Sequence, residues 1–415
     1  MNKKLYTLYF ILLPIPLFFT TSLSIFREEV IQHRGAGTEL LNVGFLFALI
    51  LVTIKLNKSV GSLFKKNSLP LLTFGLIAFF SFCIQVLIGN SNGNPLLLMI
   101  SIIPLILNYM VGFLFRDLIY VDQKFLNYII NKVTIVFACV IFAHISYSLV
   151  KLGLVSSFYW RGADSIWGLF SIHQKMVYFP TIVAIVFILS LFSTSKYKKV
   201  VMGILFFEIV MNFSREGVLL IFLGLCARVY YLFRYENKKI IVFLYIILGV
   251  IFAYLLFQYI VTNFENSSFA DKLLSIQEKG HYSAGRFEQI KEGFEEMLNP
   301  ETHYSLLIGT GFAMNLGFLG TPHNQYIEIL FRGGILGLLT FIFSICNTLF
   351  LIKKQLKFYK KTKNQCCHIF FSFAVIFVLL TCVSFNINTP IRSMYACGLY
   401  GFLMGFLNNS RRIGG

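Results

Sequence analysis

Apolar runs of about 18 or more residues recur along the whole chain, and this limits the possible fold more than any other feature. Hydrocarbon offers no partner to a backbone N–H or C=O, so a spanning segment must be a helix or join a closed barrel. Barrel strands alternate apolar and polar residues over about ten positions. The runs here are continuous, so helices are expected. Composition agrees, with 57% hydrophobic residues, 13% charged and a mean hydropathy of +0.75.

An all-α integral membrane protein of about twelve transmembrane helices is therefore expected, over residues 5–26, 40–54, 68–88, 95–115, 133–151, 176–195, 199–214, 217–233, 240–261, 324–352, 368–385 and 391–408. The first run follows Lys3 and Lys4. It is too long for a signal-peptide core and lacks a small-x-small cleavage site, so it is expected to be retained. The net charge of +18 suits nucleic acid, but its placement does not. Basic residues cluster in short interhelical loops, at 55–66, 116–132, 196–199, 234–239 and 353–363, and in the tail at Arg411-Arg412. Of the acids only Asp117, Asp122 and Glu236 share those loops. The positive-inside rule then puts both termini and these loops in the cytoplasm, and nucleic acid is not an expected partner.

Eight cysteines are present, but none lies outside the cytoplasm except within a helix, so no disulfide framework is expected. Cys366-Cys367 reads as part of a basic cytoplasmic loop. No metal-ligand spacing is evident, and no metal site is expected.

One long polar interval, 262–337, breaks the pattern. It carries much of the acidic charge and three of the seven histidines, His281, His303 and His323. The expected organisation is a nine-span bundle over 1–261, a large extracytoplasmic loop over 262–323, and three spans with a short basic tail over 324–415. Within the loop Phe287, Ile290, Phe294, Met297 and Leu298 recur at helical spacing, with Glu288, Lys291, Glu292, Glu295 and Glu296 opposite. That is an amphipathic helix of about three turns ending before Pro300, lying on the outer leaflet or capping the bundle.

Three residues stand out chemically. Thr321 suits an N-cap and Pro322 the first helical position, which puts His323 at the start of the tenth span. The free N–H groups and positive dipole end there favour an anion such as a pyrophosphate, and a neutral histidine competent as a base. An interfacial histidine in a local hydrogen bond accounts for the same residue. Arg215 lies in the tight hairpin Ser214-Arg215-Glu216-Gly217 on the outer side, against the charge bias. Its partner could be Glu216, Glu208 or an anionic lipid head group. Arg286 opens the amphipathic helix, where a cation opposes the dipole. A guanidinium there suits bidentate grip on phosphate, or an ion pair with a nearby acid.

Glu328 and Arg332, one turn apart in the tenth span, can pair with one another. Gly333, Gly334 and Gly337 thin that helix for close packing or a bend. Gly309 and Gly311 read as a turn, Arg392 begins the twelfth span on the outer side, and Trp160-Arg161-Gly162 lies at an interface. His281 and His303 read as solvated loop residues.

These motifs resemble the O-antigen ligase and O-antigen polymerase superfamily of membrane glycan-transfer enzymes. The resemblance rests on Ser214-Arg215-Glu216-Gly217, on Gly285-Arg286, and above all on one ordered run. That run is Leu307-Ile308-Gly309-Thr310-Gly311-Phe312, then Pro322-His323-Asn324-Gln325-Tyr326-Ile327-Glu328, then Gly333-Gly334-Ile335-Leu336-Gly337. The likeness is strongest over about residues 200–345.

The resemblance implies a bacterial inner-membrane protein working on its periplasmic face, with a glycan on undecaprenyl pyrophosphate as donor. Arg215 and Arg286 would hold the pyrophosphate leaving group, and His323 would activate or orient the acceptor hydroxyl. Inversion at the anomeric carbon would need no metal, nucleotide or other cofactor. Asn324, Arg392, Arg332, Glu328 and Arg161 would contact pyrophosphate or glycan. A polymerase extends a lipid-linked repeat unit, a ligase loads lipid A–core or a protein, and a chain-length regulator is a further expected partner. The overall likeness around Gly309 to Gly337 favours a polymerase. A polysaccharide flippase or exporter is the competing class. It would place charge along a midplane path, whereas the candidates here gather at the outer surface.

Overall fold

The computed structural model describes residues 2–12, 68–87, 102–119, 122–158, 179–211, 215–237, 286–298, 306–311, 324–362, 367–387 and 394–409. Most of these residues form helices, and the described residues include no strand. In chain order they are α1 (Asn2–Leu12), α2 (Leu69–Leu87), α3 (Ile102–Ile119), α4 (Gln123–Phe158), α5 (Phe179–Leu191), α6 (Lys198–Met211) and α7 (Arg215–Arg234). Then come α8 (Arg286–Leu298), α9 (Gln325–Thr362), α10 (Cys367–Leu379) and α11 (Met394–Asn408). A π-helical turn, Leu380–Ser384, and a last helical turn, Phe385–Ile387, extend α10.

Among the described residues five helices are long and apolar enough to cross a membrane: Leu69–Leu87, Lys124–Ala143, Glu216–Arg234, Gln325–Lys361 and Cys367–Ser384. Pro180–Leu191 and Cys397–Asn408 are shorter apolar helices. The expected spans at 40–54 and 240–261 lie outside the described residues. α2 shows how a span meets lipid. Phe74 and Ala78 are buried while Leu76, Phe79, Phe80 and Leu87 are exposed on other faces. Large apolar side chains facing outward from a helix with a buried opposite side fit hydrocarbon rather than water.

Three expected boundaries move. α4 runs for 36 residues and absorbs the ends of two presumed loops, at 116–132 and 152–175. α9 runs for 38 residues, so the lysine-rich stretch 353–362 continues the helix instead of forming a loop. Lysine is a good helix former, and Gln355 and Tyr359 are buried on that extension against Arg116, which lies between the Phe370 and Phe406 rings at 4.8 and 4.7 Å. Cys367 is not a loop residue either; it opens α10 and is buried.

Among the described residues, α3 and α11 make the closest helix pair. A side chain on Gly401 would meet the Leu105 carbonyl at 2.1 Å, and one on Gly405 the Tyr109 carbonyl at 1.9 Å. Gly401 and Gly405 form a glycine-xxx-glycine pattern that brings two backbones into contact, a packing solution suited to helices without a hydrophobic drive between them. At the end of the bundle where α1 starts, Asp122 caps α4 by accepting from Phe125 N–H at 3.0 Å. The hydrogen bond from Lys3, with that cap, holds its carboxyl below the usual carboxylate range.

Candidate active site

α9 is broken where the sequence places its paired glycines. Gly334 has φ 62° and ψ −167°, outside any helical geometry, so α9 is a short segment followed by a long one. The break leaves carbonyls on one side and N–H groups on the other without helical partners, a costly state in a membrane. The turn at 306–311 supplies them. Thr310 and Gly311 N–H donate to the Phe331 and Arg332 carbonyls, each at 2.8 Å. Ile335 and Leu336 N–H donate in turn to the Leu306 and Leu307 carbonyls, at 3.0 and 3.2 Å.

Glycine is required at both edges of this clip. Gly309 has φ 72°, and a side chain there would lie 2.4 Å from the Arg332 carbonyl carbon. One on Gly334 would lie 2.3 Å from the Leu307 oxygen. Both the turn at Gly309 and Gly311 and the bend at Gly334 are as the sequence implies.

α2 pins the clip from the side. Ser81 Oγ donates to the Ile308 carbonyl at 2.6 Å, and Gln85 Nε2 to the Gly309 carbonyl at 2.9 Å. Neither residue belongs to the motifs that point to the site. The signal was there: two polar side chains four apart on one face of an apolar span need partners inside the protein.

The entry to α9 corrects one expectation. Asn324, not Thr321, caps this helix, its Oδ1 accepting from Tyr326 and Ile327 N–H at 3.0 and 3.2 Å. Asparagine is at least as good an N-cap as threonine, and it lies next to the first helical residue, Gln325. His323 thus immediately precedes the cap instead of opening the helix. Glu328 and Arg332 pair with one another as expected, both buried. A buried arginine–carboxylate pair one turn apart fixes the face that this short segment presents.

α8 begins at Arg286 and ends at Leu298, within the expected limits. It caps the bundle. Gly293 lies against the Phe331 ring, Phe294 meets that ring edge-on at 5.5 Å between centroids, and Met297 is buried with Phe331 beside Ile327 and Leu330. α7 begins at Arg215. Its next residue, Glu216, is buried, and Oε1 accepts from Thr181 Oγ1 at 2.8 Å and Ser384 Oγ at 2.6 Å.

The extension of α10 reaches both sides of this arrangement. Ser384 contacts Glu216, while Asn386 Oδ1 lies 3.5 Å from Asn324 Nδ2 and the Thr381 carbonyl accepts from Tyr326 OH at 2.8 Å. Arg215 opens a helix held by this segment, Asn324 next to His323 is held by it too, and the helix opened by Arg286 packs on residues 327–331. His323, Arg161, Arg392, His281 and His303 lie outside the described residues. Among the described residues no group of His, Cys, Asp or Glu is arranged to hold a metal ion.

Architecture and composition thus define a multi-pass, all-helical membrane protein with a broken helix clipped by a loop. Residues 200–342 match the family model described as O-antigen ligase, the likeness that the motifs in this stretch carry. Arg215, Arg286 and His323 all fall inside the matched stretch; Arg161 and Arg392 fall outside it. No curated protein matches the chain.

Proposed function

We propose that this protein is a polysaccharide polymerase that transfers a growing glycan from undecaprenyl pyrophosphate to a lipid-linked repeat unit at the periplasmic face of the bacterial inner membrane. The proposal includes about twelve spans with both termini in the cytoplasm. The observation that carries it is the convergence of three elements. The helix opened by Arg215 is bonded to the extension of α10, that extension also reaches the cap beside His323, and the helix opened by Arg286 packs on the first segment of α9.

In this reading Arg215 and Arg286 bind the pyrophosphate and stabilise the charge that builds on it as the glycosidic bond breaks. His323 takes the proton of the acceptor hydroxyl as that oxygen attacks the anomeric carbon from the opposite face, giving inversion. Asn324, Glu328, Arg332, Arg392 and Arg161 are the proposed contacts to glycan and pyrophosphate. Asn324 and the Glu328–Arg332 pair also have structural work, as cap and ion pair, so their substitution is expected to cost stability as well as activity.

Purified protein incubated with lipid-linked repeat units, with and without lipid A–core, tests the assignment. A ladder of lengthened lipid-linked chains in the absence of core is the expected result. Product only when core is added would make the protein a ligase. Loss of the lipid-linked donor from one leaflet without any new glycosidic bond would make it a transporter.

A further inference from the structure

We propose that Glu216 is a positioning residue. Its carboxylate, held by Ser384 and Thr181, sets the start of α7, which Arg215 opens, against the same segment that holds the entry to α9. This rests on the reading of Arg215 and His323 as partners in one site.

A carboxylate in the first turn of a helix is favoured by the dipole, and an exposed one would serve that purpose. Glu216 is instead only 6% exposed, and its Oε1 accepts from hydroxyls on two other helices, both of them fully buried. Taking a carboxylate out of water in a membrane protein is costly, and such residues are by default functional. Its position therefore calls for a purpose beyond capping α7.

The partner segment has an unusual form. Leu380–Ser384 is a π-helical turn, in which one extra residue shifts the faces of everything that follows. At the end of that turn Ser384 faces Glu216, and two residues on Asn386 reaches Asn324. Within the turn, the Thr381 carbonyl takes the Tyr326 hydroxyl. Phe385 then packs between these contacts, 6.0 Å from the Tyr326 ring and 4.7 Å from the Tyr400 ring. One short irregular stretch is thus bonded to residues adjoining Arg215 and His323, while lying outside the matched stretch 200–342. A displacement of about 1 Å between groups that must act on one bond costs about a hundredfold in rate, so a brace of this kind governs turnover rather than binding.

The test uses the full chain in lipid nanodiscs with lipid-linked repeat units as substrate. Glu216→Ala and Ser384→Ala are each expected to lower kcat about tenfold or more with little change in KM. The double variant should be no slower than Glu216→Ala, because both changes break one link. Glu216→Gln keeps an acceptor oxygen for both hydroxyls and should stay within about threefold of the unmodified protein.

Losses that multiply in the double variant, a change in KM alone, or unmodified rates in both single variants would overturn the proposal. If Glu216→Ala fails to accumulate in the membrane, Ser384→Ala carries the same comparison.

A second readout needs no turnover. Spin labels at Val218→Cys on α7 and Leu336→Cys on α9, both exposed positions, report the spacing of the two elements in a background without reactive cysteines. Glu216→Ala and Ser384→Ala should shift or broaden that distance and Glu216→Gln should not; an unchanged distribution in all three overturns the brace. Full activity of Arg215→Ala alongside a shifted distance would instead overturn the site assignment and leave the brace standing.

Discussion

At the scale of single residues, the glycines at the clip are the most exposed to test. Gly334 and Gly309 hold positive φ values and have backbone where a side chain would go. An L-residue in that region costs about 1–3 kcal/mol before any clash is counted. Gly309→Ala and Gly334→Ala should each lower the thermal midpoint and reduce transfer sharply, whereas Ala at Gly203, which has open space around it, should leave both unchanged. Melting and turnover measured on the same preparations check this. These glycines were legible because a paired glycine inside an apolar run has few other uses. The cap was not. Thr321-Pro322 and Asn324 all satisfy the local rules for a helix start, and only the fold decides which of them the helix uses. Ser81 and Gln85 show the other limit: their partners lie more than two hundred residues further along, and no local spacing rule reaches that far.

At the scale of elements, the loop helix α8 is held on the short segment of α9 by one aromatic platform. Phe331 takes Gly293, Phe294 and Met297 together. Removing a buried phenylalanine of this kind costs about 3–5 kcal/mol where the site cannot collapse. Phe331→Ala should therefore release α8, speeding proteolysis within 286–298 and lowering transfer, while the bundle stays intact. Limited proteolysis followed by mass spectrometry reads this directly; unchanged cleavage would mean that α8 is held by something else. The amphipathic pattern of α8 was plain in the sequence, down to both of its ends. What it docks against was not, because periodicity identifies an apolar face without naming the surface that receives it.

At the scale of the whole molecule, the sequence conveyed a helical membrane protein, its polar interval and the three chemically distinctive residues. Long helices such as α4 and α9 were underestimated, because a hydropathy reading ends where lysines begin although the helix continues. The close α3–α11 pairing, through Gly401 and Gly405, brings two helices of the bundle into backbone contact. The extension of α10 holds the start of α7, and the pins from α2 hold the clip. In the proposed function, elements so far apart in the chain build one site for transfer from a pyrophosphate-linked donor. The most direct test is turnover of lipid-linked repeat units by purified Arg215→Ala, Arg286→Ala and His323→Ala proteins, matched for membrane level and melting behaviour. Each should lose about a hundredfold or more in kcat, the scale expected for groups that stabilise developing charge or move the proton. Unmodified turnover in any one of the three, with the protein correctly folded, would remove that residue from the site and contradict the account.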